Sequence, residues 1–201
     1  MSALRLLHYF LILEVKQVED EIFMSQRKYA IDLLKRFNML NCKTAATPTN
    51  LNEKLHVDDG IELANASYFI RMVGGLIYLT HTRLDIAFSV GVISKFIHYP
   101  SKHYLGVAKR FICYIVSIVD FGLWYTKAAD FRLSGFSDSD WAGCLEDRRS
   151  TSGYMFKLGS ATIYYSSKKQ STTALSSLEA EYVAVTLSTC QEIWLRILTD
   201  L

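Results

Sequence analysis

The sequence predicts a mixed α/β (α+β) fold in which a layer of helices is followed by a βββα unit. Apolar residues recur with a helical period of about 3.6 over much of the chain before Asp120, and with a period of about 2 after it. The chain has 201 residues and half of them are apolar, so it can bury a substantial core in one large domain or two small ones.

The first elements are predicted to be a hairpin and a helix. Residues 6–16 are strand-like, residues 18–21 are polar enough to turn, and residues 21–25 return as a second strand. In residues 26–40, apolar side chains stand four positions apart, as on one side of a helix: Tyr29, Leu33 and Phe37. Residues 41–66 then become polar and aperiodic, which indicates a connector and the best candidate domain boundary.

Three helices are predicted in the central part of the chain. Residues 67–81 form the first. Thr82 and Asp85 have the spacing of a capping box, in which hydroxyl and carboxylate satisfy each other's free backbone donors, so they are expected to open the second helix. Pro100 ends that helix and Ser101 caps the third.

The C-terminal part is predicted to contain three short strands and a long helix. The strands cover residues 131–136, 152–158 and 161–167. A second capping box, Ser176 to Glu179, begins a helix that runs to about Leu198. One side of this helix carries an apolar stripe that we expect to be buried: Ala180, Val183, Ala184, Leu187, Ile193 or Trp194, and Leu198.

The charge distribution and the cysteine spacing limit the kinds of function that the protein can have. Residues 66–119 contain six basic residues against Asp85 alone, which suits phosphate contacts but equally a solvated helix face. The four cysteines form no C-x-x-C pair, so neither a zinc knuckle nor a disulfide framework is indicated. We expect an intracellular protein (cytoplasm or nucleus) with no secretion signal and no membrane span.

The chemistry is predicted to lie in two acidic segments. Asp138 and Asp140 are placed on the first C-terminal strand, and Glu179 and Glu181 at the start of the long helix. Carboxylates held by rigid elements are what a divalent-metal phosphoryl-transfer site requires. Asp138 and Asp140 are spaced to share a face, and Glu179 belongs to the cap, so Glu181 is predicted to be the metal ligand from the helix. The alternative is that these residues only cap turns and helices.

Two basic pairs lie near the carboxylates in the predicted sheet. Arg148, Arg149, Lys168 and Lys169 could contact a duplex backbone, or they could be charges that keep hairpin ends soluble. Both interpretations stay open at this stage.

Several motifs, taken together, resemble the C-terminal part of a copia-type LTR-retrotransposon Pol polyprotein over nearly the whole chain. They are Leu7-His-Tyr-Phe-Leu, Ser25-Gln-Arg-Lys-Tyr-Ala-Ile-Asp-Leu-Leu-Lys-Arg-Phe, Thr47-Pro48, Val73-Gly-Gly-Leu-Ile-Tyr-Leu-Thr, Thr82-Arg-Leu-Asp-Ile-Ala, Asp147-Arg-Arg-Ser-Thr-Ser-Gly-Tyr, Ser167-Lys-Lys-Gln and Glu179-Ala-Glu-Tyr. Gly is usual in this family where Ile12 stands.

The resemblance implies a domain organisation and a site. Residues 1–64 resemble the end of a reverse-transcriptase palm with a polar connector, residues 65–128 its helical thumb and connection, and residues 131–201 a truncated ribonuclease H-like domain. It implies that Asp138 and Glu181 are the catalytic, Mg²⁺-binding residues and that the ligand is an RNA/DNA hybrid or duplex nucleic acid.

Departures from the family pattern imply lost activity. The polymerase Tyr-x-Asp-Asp motif is absent, and the third ribonuclease carboxylate would follow Leu201. We therefore expect a catalytically inactive Pol remnant. The alternatives are a non-enzymatic nucleic-acid-binding fragment and an excerpt of an active Pol. A bare edge on the first C-terminal strand would also favour self-association.

Overall fold

The computed structural model describes residues 8–49, 60–127, 132–144 and 147–199. The chain divides into two compact units, residues 1–124 and 125–201. Five helices and two sheets occur in the described residues, which confirms the predicted α+β class. Within these ranges, each helix is too short or too polar to cross a bilayer.

The sheet of the first unit has the strand order β1-β2-β3-β4. Its strands are β1 (Tyr9–Phe10), β2 (Leu13–Val18), β3 (Glu21–Ser25) and β4 (Gly122–Thr126), and the division between the units falls within β4. β1 pairs antiparallel with β2, and β2 with β3.

The prediction of one strand across residues 6–16 is wrong, because a tight turn divides it. Phe10 pairs with Leu13, and the two residues between them, Leu11 and Ile12, have φ values of 46° and 67°. Positive φ at both central residues defines a type I′ hairpin turn, which normally uses Asn and Gly. No residue type typical of turns marks this position, because two bulky apolar residues occupy it.

Four helices form the core of the first unit: α1 (Arg27–Arg36), α2 (Ala66–Leu79), α3 (Leu84–Ser94) and α4 (Lys102–Ser117). Each helix turns an apolar stripe toward the others, and the largest fully buried side chains are Leu33, Leu34, Phe69, Met72, Leu76, Leu79, Ile86, Ile93, Tyr104, Phe111 and Ile112. Ser101 caps α4 as predicted, since its side chain accepts from the Tyr104 amide. Asn65 caps α2 in the same way.

The capping box predicted at Thr82 and Asp85 is wrong. α3 begins at Leu84, and the Thr82 hydroxyl donates instead to the buried Gln26 amide oxygen at 2.9 Å. Asp85 pairs with Arg83, whose buried guanidinium also donates to the Ile118 carbonyl at 2.7 Å beyond the end of α4. The Thr82 hydroxyl and the Asp85 carboxylate therefore bind other side chains instead of each other's backbone amides.

The second unit contains a three-stranded antiparallel sheet followed by a long helix. The strands β5 (Leu133–Ser139), β6 (Thr151–Leu158) and β7 (Ala161–Lys169) lie in that order. α5 (Ser177–Thr199) packs on β5 and β6. All three predicted strands are present with shifted ends, and Phe131, where the first was predicted to begin, lies outside the described residues.

The predicted buried stripe of α5 is only partly correct. Ala180 and Ala184 are buried against the sheet, and Val183 is half-buried. The other predicted members are exposed: Leu187, Ile193, Trp194 and Leu198. Within the described residues, three strands do not offer enough surface to cover them.

Candidate carboxylate site at the end of strand β5

Asp138 and Glu181, the two predicted catalytic residues, converge on a single backbone amide. The Ser139 N–H donates to Asp138 Oδ1 at 2.9 Å and to Glu181 Oε1 at 3.2 Å. Because both oxygens accept from the same nitrogen, the distance between them cannot exceed the sum of the two hydrogen-bond distances. The hydrogen bond from Ser139 to Glu181 joins residues 42 positions apart in the sequence, and it brings Glu181 to Asp138.

The convergence depends on β5 being the edge strand of its sheet. Gln170 donates to both Ser152 Oγ and the Ala180 carbonyl, so the face of the sheet that carries Ser152 is turned toward α5. Ser139 is the cross-strand partner of Ser152 and shares that face, which places Asp138 on the opposite one. The two carboxylates therefore approach from opposite faces and meet at the Ser139 amide, on the side of β5 that has no strand partner among the described residues.

The position of Glu181 follows from how α5 begins. The Ser176 hydroxyl accepts from the Glu179 amide at 3.2 Å, as a capping box requires. Glu179 folds back as predicted, but it accepts from the Leu175 amide at 2.8 Å rather than from Ser176. Since Ala180 is buried against the sheet, the next residue is directed toward its edge, and Glu181 is half-buried there.

Asp140 does not join Asp138, contrary to the predicted shared face. β5 ends at Ser139, and the Asp140 carboxylate accepts from the Thr151 amide, while its own amide donates to the Thr151 carbonyl. A Cβ on Gly143 would lie 2.0 Å from Asp140 Oδ2, so glycine leaves the space that this carboxylate occupies. Asp140 is used to close the loop between β5 and β6.

A buried polar network supports the site, and the sequence analysis missed it. Ser150, Ser152 and Gln170 are all buried. Ser150 Oγ accepts from the Ala142 amide at 3.1 Å, and the Ser150 carbonyl accepts from the Gln170 amide at 2.8 Å. Ser150, Ser152 and Gln170 lie within the family motifs, and this could have indicated that they are structurally important. Their positions beside charged residues suggested instead that they lie on the surface.

The basic residues near the site are divided between two environments. Lys169 Nζ lies 2.7 Å from Asp147 Oδ2, and Arg149 Nε lies 3.5 Å from the same oxygen. The hydrogen bond from Lys169 lowers the pKa of Asp147 to about 2. Burial opposes the charge on Lys169, but the hydrogen bonds to Asp147 and Cys144 outweigh it and raise the pKa of Lys169. Arg148 and Lys168 are exposed and form no ion pair with another described residue.

The two converging carboxylates suit a divalent cation that prefers oxygen ligands. Asp138 is exposed and Glu181 is half-buried, so both have oxygens that can be shared with an ion. No group of three acidic, histidine or cysteine residues with metal-binding proximity occurs in the described ranges. Within these ranges the site therefore offers two carboxylates to such a cation.

The basic charge of the first unit is partly compensated by tertiary contacts. Arg83 is buried and paired with Asp85. Lys102 Nζ lies 2.5 Å from Glu62 Oε2. Glu62 lies just before residues 66–119, the segment with the excess of basic residues. Arg110 donates to Thr47 Oγ1 at 3.0 Å. Arg71 donates to the Ser67 carbonyl at 3.3 Å, so four of the six basic residues have partners within the unit, which favours a structural role for those four.

Comparison with known proteins places the chain among retrotransposon polyproteins. It is 39% identical to the retrovirus-related Pol polyprotein from transposon RE2 of Arabidopsis thaliana, over 97% of this chain and 14% of that protein. It is 35% identical to the Pol polyprotein from transposon TNT 1-94 of Nicotiana tabacum, over 90% of this chain and 14% of that one. The chain belongs to the copia-type retrotransposon Pol family.

A shorter relative matches the chain over most of its own length. An uncharacterized mitochondrial protein of Arabidopsis thaliana is 37% identical over 96% of this chain and 80% of its own length. The chain itself spans about 14% of the length of the RE2 and TNT 1-94 polyproteins. No family model matches the chain, and no solved structure matches it.

Proposed function

We propose that the second unit is the first part of a ribonuclease H-like region of Pol, in which Asp138 and Glu181 hold Mg²⁺ beside the RNA strand of an RNA/DNA hybrid. The observation that carries this proposal is that both carboxylates accept from the Ser139 amide. In the same assignment, residues 1–64 correspond to the end of the reverse-transcriptase palm and its connector, and residues 65–128 to the thumb and connection.

Each residue of the site has a defined task in this proposal. The Ser139 amide fixes one oxygen of each carboxylate, which leaves the remaining oxygens to bind the ion. The bound ion would polarise a phosphodiester oxygen and lower the pKa of an attacking water. Two carboxylates hold magnesium weakly, because it keeps most of its waters when few protein ligands are present. We therefore propose that the 201-residue chain alone does not cleave a hybrid.

Manganese, which shares the oxygen-ligand preference of magnesium, tests the metal site in the full chain. Addition of Mn²⁺ to ¹⁵N-labelled protein is expected to broaden the amide signals of Ser139 and Glu181 first. Asp138→Asn and Glu181→Gln should each weaken this binding by about tenfold or more. Glu192→Gln is the matched control, because Glu192 lies on the same helix but pairs with Arg196. Equal broadening in all three variants and the unaltered chain would contradict the assignment.

Binding and cleavage of an RNA/DNA hybrid test the proposed ligand. We expect weak, salt-dependent binding, with Arg148→Gln and Lys168→Gln each reducing the salt slope by about one, since each would remove a phosphate contact. Lys35→Gln, on α1 in the first unit, serves as the control. Magnesium-dependent cleavage that disappears in Asp138→Asn would overturn the proposed inactivity, and unchanged slopes in both variants would reject these two residues as phosphate contacts.

A further inference from the structure

Trp141 is an exposed aromatic residue beside the candidate carboxylate site. It is 55% exposed and lies two residues beyond Ser139, whose amide holds both carboxylates. Because an extended chain advances at most about 3.6 Å per residue, the backbone positions of Trp141 and Ser139 lie within about 7 Å of each other. The proposed metal site makes no use of this side chain.

Hydrogen bonds to the start of β6 hold the backbone on both sides of Trp141. The Asp140 amide donates to the Thr151 carbonyl at 3.2 Å, and the Ala142 amide donates to Ser150 Oγ at 3.1 Å. Ala142 has a left-handed φ of 52° and is buried. The turn therefore buries the small side chain of Ala142 and leaves the large indole of Trp141 in contact with solvent.

The indole ring is held along one edge. Its Nε1–H donates at 3.3 Å to the carbonyl of Ala174, which lies 33 residues later in the loop before α5. Ala174 is buried, so the ring is attached to the packed part of the unit. The N–H of tryptophan commonly has such a partner while its apolar surface contacts something else. A ring that is fixed in this way and still exposed is preorganised to bind a planar group.

An unpaired nucleobase is the planar group that suits this position. The acidic side chains of the site disfavour an anion next to the ring when no cation is bound, whereas the face of a base carries no net charge and can stack on an aromatic ring. A base inside a duplex is already stacked on its neighbours, and taking it out of the duplex costs free energy. The indole therefore gains a stacking partner most easily from a base that is not paired.

We propose that Trp141 stacks on an unpaired base of the strand that reaches the carboxylates, so that the second unit prefers a hybrid with a single-stranded overhang to a blunt-ended hybrid. The stacking rests on the proposed function, because it takes the ligand of this unit to be nucleic acid. It adds a contact to a base, whereas Arg148 and Lys168 are proposed to contact phosphates. Since every base has a π-face, we expect little preference for base sequence.

Tryptophan fluorescence of the full chain tests the stacking directly. The chain has three tryptophans, so the double variant Trp124→Phe/Trp194→Phe leaves Trp141 as the only one. In metal-free buffer at low salt, a short RNA/DNA hybrid with a single-stranded RNA overhang should quench the emission of Trp141. A blunt hybrid of the same paired sequence should quench it much less. Equal quenching by the two hybrids, or binding without quenching, would overturn the proposal.

The affinity for the overhang hybrid, measured by fluorescence anisotropy of a labelled strand, tests the contribution of the ring. Trp141→Leu should weaken binding by about tenfold, because it removes one stack between a base and an aromatic ring. Trp141→Phe should retain most of the affinity, since it keeps an aromatic face. Trp194→Leu is the matched control at a comparably exposed position on α5 and should bind like the unaltered chain. Unchanged affinity in Trp141→Leu would count against the stacking.

The readouts separate the stacking from the proposed metal site and from the proposed phosphate contacts. Quenching that persists in a chain without specific Mn²⁺ binding would reject the metal site and keep the stacking. Salt-dependent binding through Arg148 and Lys168 without quenching would keep the proposed ligand and reject the stacking. Absence of binding to either hybrid would reject both. The fluorescence measurement leaves Trp141 itself unaltered, so it remains decisive if Trp141→Leu does not fold.

Discussion

Single residues in the first unit carry strain that the sequence does not reveal. Ile12 is the clearest case, because a β-branched side chain sits at a φ of 67° in the β1–β2 turn. The left-handed region costs such residues about 1–2 kcal/mol, and Leu11 beside it adds to the strain. The turn itself is retained because β1 and β2 pair around it and the Tyr78 hydroxyl donates to the Leu11 carbonyl at 2.8 Å.

Replacing the turn residues with Asn and Gly should stabilise the protein. The double variant Leu11→Asn/Ile12→Gly matches the preference of a type I′ turn, so we expect a gain of about 1 kcal/mol in the free energy of unfolding. Chemical denaturation measures this change. Leu13→Gly is the control: it lies in β2 next to the turn and should destabilise the protein, because glycine weakens a strand interior. A loss of stability in the double variant would mean that the strain is compensated by contacts of the two side chains.

At the scale of elements, adjacent glycines in α2 show how two helices pack closely. A Cβ on Gly75 would lie 2.3 Å from Leu33 Cδ1, while a Cβ on Gly74 would meet nothing within 4 Å. Tyr29, also on α1, donates to the Gly75 carbonyl at 3.2 Å. The Val73-Gly-Gly-Leu motif therefore contains one glycine that the α1–α2 contact requires and one that it does not.

The two glycines should respond in opposite directions to the same substitution. Gly74→Ala is expected to stabilise the protein by up to about 1 kcal/mol, because alanine is the better helix former and the site is open. Gly75→Ala gains the same propensity but must displace the buried Leu33 side chain, and overpacking of this kind costs about 1–3 kcal/mol. Thermal unfolding of both variants measures the difference. Equal midpoints would show that Leu33 relaxes without cost.

At the scale of the whole molecule, an apolar surface on α5 is exposed. Leu178, Tyr182 and Val185 follow the helical spacing i, i+4, i+7 and are 79%, 75% and 48% exposed. α5 packs on the sheet β5-β6-β7, and within the described residues β5 has a strand partner on one side only. An open strand edge and an uncovered apolar helix in one unit are both features that promote association between chains.

We expect the isolated chain to self-associate in a concentration-dependent manner through this unit. Tyr182→Lys should lower the average mass measured by light scattering after size exclusion, since it places a charge in the exposed stripe. Ser171→Lys, at an exposed polar position of the same unit, should leave the mass unchanged. A monomeric unaltered chain at high concentration would exclude this prediction.

Features that depend on short stretches of chain could be predicted before the structure. The Ser101 and Ser176 caps are local, because each hydroxyl accepts from an amide three residues later. The strands of the second unit follow from a period of two, and their ends shifted by only a few residues. Thr82 and Asp85 had an equally good local motif, yet Gln26 and Arg83 bind them instead.

The sequence by itself determined the α+β class, the family and which acidic residues are candidates for the site. Each of these depends on residue type and local spacing. The tertiary structure alone decided which groups meet: Asp138 and Glu181 at the Ser139 amide, Asp140 at the Thr151 amide in the loop, and Thr82 at the Gln26 side chain. The physical reason is that a hydrogen bond or an ion pair forms with whichever partner packing brings within about 3 Å. That partner can lie anywhere along the chain.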